Sequence, residues 1–250
     1  MERVSVIGLG RFGRFWSELL ARRYEVVGTS RRTLDNLPAG VRQVELDEAA
    51  GSQIVFLCVA ISAFEPVMRE LAPLLPDAVT LVDTCSVKLH PSKVMEQLAP
   101  PGVGLIATHP MFGPDSATKR ADRPPVVTWP LRDTHQRYDS LCSSFRKLGL
   151  RVVELSPDQH DAQAAATQGV THLIGRALAQ MQLEPSPIAT LGYERLVSVM
   201  EQTNNDPLQL FRDLQRYNPY TKQMRARLKS AFDTVESALL DNVDHPNSTQ

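Results

Sequence analysis

Two short stretches of this chain combine residue types and spacings that suit chemistry. Gly8, Gly10 and Gly13 stand as GLGRFG directly after the apolar run RVSVI. Glycines so spaced allow a tight turn, a close backbone approach to a pyrophosphate, and close packing of a helix on a strand. A helix that begins there offers free N–H groups and a partial positive charge to phosphate oxygens. The second stretch, HPMFGPDS at 109–116, surrounds one imidazole with Pro110, Gly113 and Pro114. The prolines fix φ and lack a donor, and the glycine permits a turn. The stretch therefore predicts a rigid loop, neither helix nor central strand, that presents His109. An imidazole titrates near neutrality and is suited to exchanging a proton.

The flanking elements must position these residues. RVSVIGLG (3–10), YEVVGTS (24–30) and QIVFLCVA (53–60) are short β-branched or apolar runs and read as strands. AVTLVDTCS (78–86), GVGLIATHP (102–110), PPVVTWP and LRVVELSP repeat the pattern. Helical spacing separates them: Phe12, Phe15, Trp16, Leu19 and Leu20 share one face of the first helix, and ISAFEPVMRELAPLL carries another with Pro66 in its first turns. Further helical stretches fall before 102 and near 134–148. Strand alternating with helix predicts an α/β fold with a doubly wound, parallel Rossmann sheet.

The pattern changes at Ser156-Pro157-Asp158, a capping hydroxyl followed by proline at a first helical position. Beyond it the chain reads as helix alone. The expected division is a dinucleotide-binding domain over 1–155 and an all-helical domain over 156–250 for substrate binding and dimerisation. The tail DHPNSTQ is expected to fray.

Composition narrows the classes. Of 250 residues, 42% are hydrophobic and 22% charged, ordinary for a globular domain. With 27 basic and 28 acidic residues the net charge is -1, which argues against a general role in binding nucleic acid or a membrane surface. Three cysteines without a CxxC pair predict reduced thiols and a cytoplasmic protein. With a strand beginning at Arg3, no signal or transit segment is expected, and no apolar run is long enough to cross a bilayer. His90, His135, His160 and His245 lack paired metal-ligand spacing, so no metal is expected.

The end of the second strand selects the dinucleotide. An acid there would hold a ribose 2′-hydroxyl, whereas this chain has Thr29-Ser30-Arg31-Arg32. A guanidinium grips a 2′-phosphate, which favours NADP over NAD. The competing reading leaves Arg31 and Arg32 as solvated loop residues. Gly8, Gly10, Arg11, Phe12, Gly13, Ser30, Arg31 and Arg32 form the expected cofactor site.

GLGRFG, VDTCSVK and HPMFGPDS together resemble the prephenate/arogenate dehydrogenase family of tyrosine biosynthesis. QHDAQAAATQGVTHLIGRAL, SPIATLGYERL and YNPYTKQMRARL resemble its plant-type arogenate members, and the likeness runs over about residues 3 to 240. The resemblance implies oxidation of a cyclohexadienol: hydride leaves C4 for the nicotinamide, CO2 is lost and the ring becomes aromatic. It implies that His109 accepts the hydroxyl proton and that Ser86 shares the surrounding hydrogen-bond network. Read alone, Ser86 is more often a helix N-cap. Lys88 reads either as an aid to Ser86 or a phosphate, or as a solvated lysine.

Substrate contacts are implied for Gln168 and His172, four apart on one helical face, and for Thr190. Asp206 matches the acid that arogenate-using members carry, where it would attract the substrate ammonium. Its other reading is a cap before Pro207. Arg225 and Arg227 read first as solvated, and the arginine motif that bacterial members use for the ring carboxylate is absent. The family also implies a homodimer through the helical part. The readings that remain open are the same fold acting on prephenate, a related reductase, and a non-catalytic NADP sensor.

Overall fold

The structure, a computed structural model, describes residues 2–117, 122–184 and 186–240. The polar tail and His245 lie outside the described residues. The backbone divides into two compact units. The first is Met1–Asp161 with Arg212–Asn218, and the second is Ala162–Phe211 with the chain from Pro219 onward.

The first unit is built on an eight-stranded sheet. Its strands are β1 (Arg3–Ile7), β2 (Glu25–Thr29), β3 (Val41–Gln43), β4 (Ile54–Leu57), β5 (Thr80–Asp83), β6 (Gly104–Pro110), β7 (Pro125–Arg132) and β8 (Arg151–Glu154). Their order is β3-β2-β1-β4-β5-β6-β7-β8. The helices are α1 (Arg11–Ala21), α2 (Leu46–Ala50), α3 (Phe64–Leu71), α4 (Leu89–Leu98) and α5 (Tyr138–Lys147). Strands β4, β5 and β6 are buried along their whole lengths, as continuous apolar runs require in a sheet covered on both faces. The order reverses at β1, so the turn after β1 opens at the switch point where such sheets bind ligands.

Two expectations are corrected here. Strand β7 runs antiparallel to β6, while the other pairings are parallel. No described helix intervenes between Pro110 and Pro125, and a parallel return needs a crossover. His109 does not sit on a loop either. It is a residue of β6, paired with Val127, and Pro110 pairs with Val126. Pro110 is the last residue of the strand.

Local sequence explains the turn after β1. Gly8 has φ of 101°, a conformation that side chains resist, and its N–H donates to Thr29 O at 3.0 Å. At Gly13 an added methyl would collide with the Gly8 carbonyl, so only glycine lets α1 lie this close to β1. Trp16 carries α1 into the core, with Phe56 and Phe145 rings 5.9 and 5.8 Å away. Phe112 reaches the same cluster, 6.3 Å from Trp16 and 6.0 Å from Phe15. The Met-Phe pair of HPMFGPDS thus anchors the segment after β6 against the helix that follows the glycine turn.

The second unit is helical. Its elements are α6 (Pro157–Ala164, beginning in the first unit), a π-turn at Ala165–Gly169, α7 (Val170–Gln180), α8 (Leu191–Asn205), α9 (Leu208–Tyr217, whose last turns belong to the first unit) and α10 (Thr221–Leu240). Gly175 lets α7 meet α8, since a methyl there would strike Thr203. No helix is long and apolar enough to cross a membrane among the described residues.

Gly13→Ala should lower stability by about 1–3 kcal/mol through overpacking. Gly10→Ala, where nothing lies within 4 Å of an added methyl, should stay within about 1 kcal/mol of the parent. Urea unfolding of the two variants checks this contrast.

Candidate active site

The centre of the first unit is a chain of buried hydrogen bonds ending on His109. The ring is 3% exposed, and its Nδ1 lies 2.8 Å from Nε2 of His160. His160 Nδ1 is 2.8 Å from Asp161 Oδ1. Asp161 also accepts the N–H of Lys88 at 2.7 Å and that of Leu89 at 2.9 Å. Those are free amides at the start of α4, so Asp161 caps this helix from a distant segment. The N-cap expectation for Ser86 is thereby corrected: α4 begins at Leu89, and Ser86 sits half-buried in the turn before it.

Lys88 is not solvated. It is 1% exposed, and its ammonium pairs with Asp83 at the end of β5 and donates to Thr108 O, the carbonyl next to His109. Asp83 in turn accepts the N–H groups of Cys85 and Thr108. A buried charge needs this degree of pairing to persist. The Asp83–Lys88 pair fixes β5, β6 and the turn carrying Ser86 relative to one another.

Sequence reasoning set His160 aside because it lacked metal-ligand spacing. Its role as partner of His109 was invisible because the two are 51 residues apart. The adjacent acid in QHDA was the available signal. Asn218, just beyond the end of α9, is 1% exposed and donates Nδ2 to Asp161 O at 2.8 Å. Asp213, on the same returning segment, accepts the N–H and hydroxyl of Ser62 at 3.0 and 2.8 Å.

Burial holds His109 well below its ordinary value, with His160 and the Lys88 ammonium adding to the effect. Burial also lowers His160, and Asp161 pulls it back up. His109 is therefore a neutral acceptor at physiological pH. The thiols offer no competing nucleophile. Burial pushes Cys58 up to about 12 and Cys85 well above its ordinary value.

The expected cofactor residues gather at the end of β1. Gly10 faces open space, as a phosphate approach requires, and the cradle at Gly8 and Gly13 would be filled by any Cβ. These features fit a dinucleotide. Arg11 is exposed and ion-paired with Asp115 of the HPMFGPDS segment. Phe12 is half-buried and stacks 5.9 Å from Trp16, on the apolar face of α1 that its spacing indicated. Ser30, Arg31 and Arg32 follow β2 in a loop shaped by Gln43. That side chain accepts from Leu34 N and donates to the carbonyls of Ser30 and Arg32. Arg31 and Arg32 are exposed.

In the second unit Gln168 lies within the π-turn, not on the regular helical face expected for it. Its Oε1 and Nδ1 of His172 are buried atoms without a partner. His172 Nε2 is 3.8 Å from Asp206 Oδ2. Burial lowers His172, and the Asp206 carboxylate opposes this. Asp206 closes α8, and Arg176 donates to its carbonyl at 2.6 Å. Thr190 is exposed and caps α8 by accepting from Tyr193 N. Arg225 is half-buried and Arg227 exposed on α10.

A mostly parallel sheet with a glycine turn at its switch point, and a buried imidazole at the end of β6 three strands away, fit a dinucleotide-dependent dehydrogenase class. Comparison with known proteins narrows it. Residues 22–154 match the family model "Prephenate dehydrogenase, nucleotide-binding domain". Residues 177–250 match "TYRAAT1-like, C-terminal domain". Arogenate dehydrogenase 2, chloroplastic, of Arabidopsis thaliana is 32% identical over 249 residues, covering 95% of this chain and 70% of that protein. Arogenate dehydrogenase 1, chloroplastic, of the same plant is 31% identical, over 98% of this chain and 40% of its own length. The crystal structure of Synechocystis arogenate dehydrogenase superposes with a TM-score of 0.69 at 20% identity, covering 96% of this chain and 92% of that one. The chain belongs to the prephenate/arogenate dehydrogenase family.

Histidines held neutral in the fold, but free to charge once unfolded, cost stability as pH falls below about 6.5. The unfolded chain then binds more protons than the folded one. The melting temperature should drop between about pH 7 and about pH 5, and His109→Gln should flatten that slope in calorimetry.

Proposed function

We propose that this chain oxidises arogenate to tyrosine with NADP, with His109 as the base. The reading is carried by the His109 ring, whose one nitrogen is committed to His160 while the other remains for a reactant. The turn at Gly8, Gly10 and Gly13 would hold the pyrophosphate of an oxidised dinucleotide, which would supply the hydride acceptor. His109 takes the hydroxyl proton at Nε2 while hydride leaves C4, and loss of CO2 leaves its bonding pair to complete the aromatic ring. Ser86, half-buried in the turn after β5, joins the hydrogen bonds to that hydroxyl.

The absence of an acid after β2, and the exposed Arg31 and Arg32 on the loop that Gln43 shapes, support NADP. The carboxylate of Asp206 beside His172 supports arogenate, because it attracts the side-chain ammonium of arogenate and has no such attraction for a keto group. Gln168 and His172, each with an unpartnered buried atom, are the other substrate contacts of this reading. The exposed stripe Phe232, Val235 and Leu239 on α10 supports a homodimer, and the three free thiols support a cytoplasmic location.

Purified protein given NADP and arogenate should generate NADPH absorbance faster than with prephenate or NAD. No NADPH or NADH from any pairing would overturn the reading. His109→Ala should cut turnover by about 100- to 10,000-fold while NADPH affinity stays near the parent value. Asp206→Asn should move the arogenate-to-prephenate specificity ratio by about tenfold toward prephenate, and an unchanged ratio would remove Asp206 from selectivity.

A further inference from the structure

The route of protons through the buried chain is fixed by its far end. Both carboxylate oxygens of Asp161 accept a backbone N–H, from Lys88 and Leu89, so this group acts as an acceptor toward His160 as well. His160 must therefore donate from Nδ1, and in its neutral form Nε2 then carries a lone pair. That lone pair can only accept, so the proton between the rings belongs to His109 Nδ1. His109 is left with a bare Nε2. Each assignment follows from the one before it, and the last is the form a general base requires.

The chain is anchored at its base. Asn218 donates to the Asp161 carbonyl from the returning end of α9, and Asp213 ties the same segment to Ser62. His160, Asp161 and Asn218 are 2%, 0% and 1% exposed, so water does not compete for these bonds. We propose that His160, Asp161 and Asn218 are positioning residues that hold His109 in its Nδ1–H tautomer and aim Nε2 at the reacting hydroxyl. The inference rests on the reading of His109 as the base. The logic is that of a buried acid setting the tautomer of a protease histidine, with one further ring interposed. When His109 takes a proton at Nε2, its Nδ1 proton passes to His160 Nε2. The positive charge then rests on the ring that Asp161 holds, one step removed from His109. The other charged groups facing the pair are Lys88 and Asp83, which are bonded to each other.

Two-bond 15N–1H spectra of the cofactor-free protein, labelled at histidine, read the tautomers without any substrate. His109 and His160 should both appear as Nδ1–H forms, assigned with His109→Gln and His160→Leu. In His160→Leu, His109 should become a mixture of tautomers. The kcat should fall about 10- to 100-fold, with KM for both substrates within about twofold of the parent. Asn218→Ala should produce a smaller fall in the same direction, and it serves if His160→Leu does not fold, with melting curves and NADPH binding as the check. An Nε2–H form of His109 in the parent, or full kcat in a folded variant, would overturn the proposal. If neither arogenate nor prephenate is turned over, the function reading fails, and the tautomer spectra still decide the positioning chain.

Discussion

The carboxylate of Asp161 is the constraint on which the rest of the first unit depends. It accepts two backbone amides at the start of α4 and the Nδ1 proton of His160. A buried carboxylate without such donors would cost several kcal/mol and would take up a proton instead. Because it is satisfied, it can dictate which atom of each neighbouring ring carries hydrogen. One residue therefore caps a helix, orders a turn and sets the chemistry of a histidine 52 positions away in sequence.

A second buried charge pair works beside it. Lys88 supplies its amide to Asp161 and its ammonium to Asp83 and the Thr108 carbonyl. Strands β5 and β6 and the turn carrying Ser86 are thus locked by one lysine. The aromatic cluster around Trp16 adds a third connection, since Phe112 packs against the helix that opens at the glycine turn. The residues of the glycine turn and of β6 are held by the same core, which restricts their relative movement.

The helical unit follows a different rule. Here a π-turn and two helix contacts, at Gly169 and Gly175, shape the local packing. The Gln168 and His172 atoms without partners belong to one such stretch, and Arg176 secures the backbone of Asp206 beside it. Unsatisfied buried polar atoms are costly, and the first unit also holds some, at Ser5, Trp16 and Thr80.

The sequence by itself determined the alternation of strands and helices, the glycine turn, the absent acid after β2 and the motifs that resemble the family. These are local: period, turn chemistry and spacing act within a few residues. It also singled out His109 but misjudged its setting, because the prolines and glycine of HPMFGPDS outweighed the strand pattern running into Thr108 and His109. Only the tertiary structure decided that β7 runs antiparallel, that Lys88 is buried, and that His160, Asp161 and Asn218 stand in line behind His109. Such partners lie 51 and 57 residues apart, and no periodicity in the chain links them. Their hydrogen bonds are selected by the cost of leaving a buried polar atom unpaired, a cost that exists only once the core has closed around them.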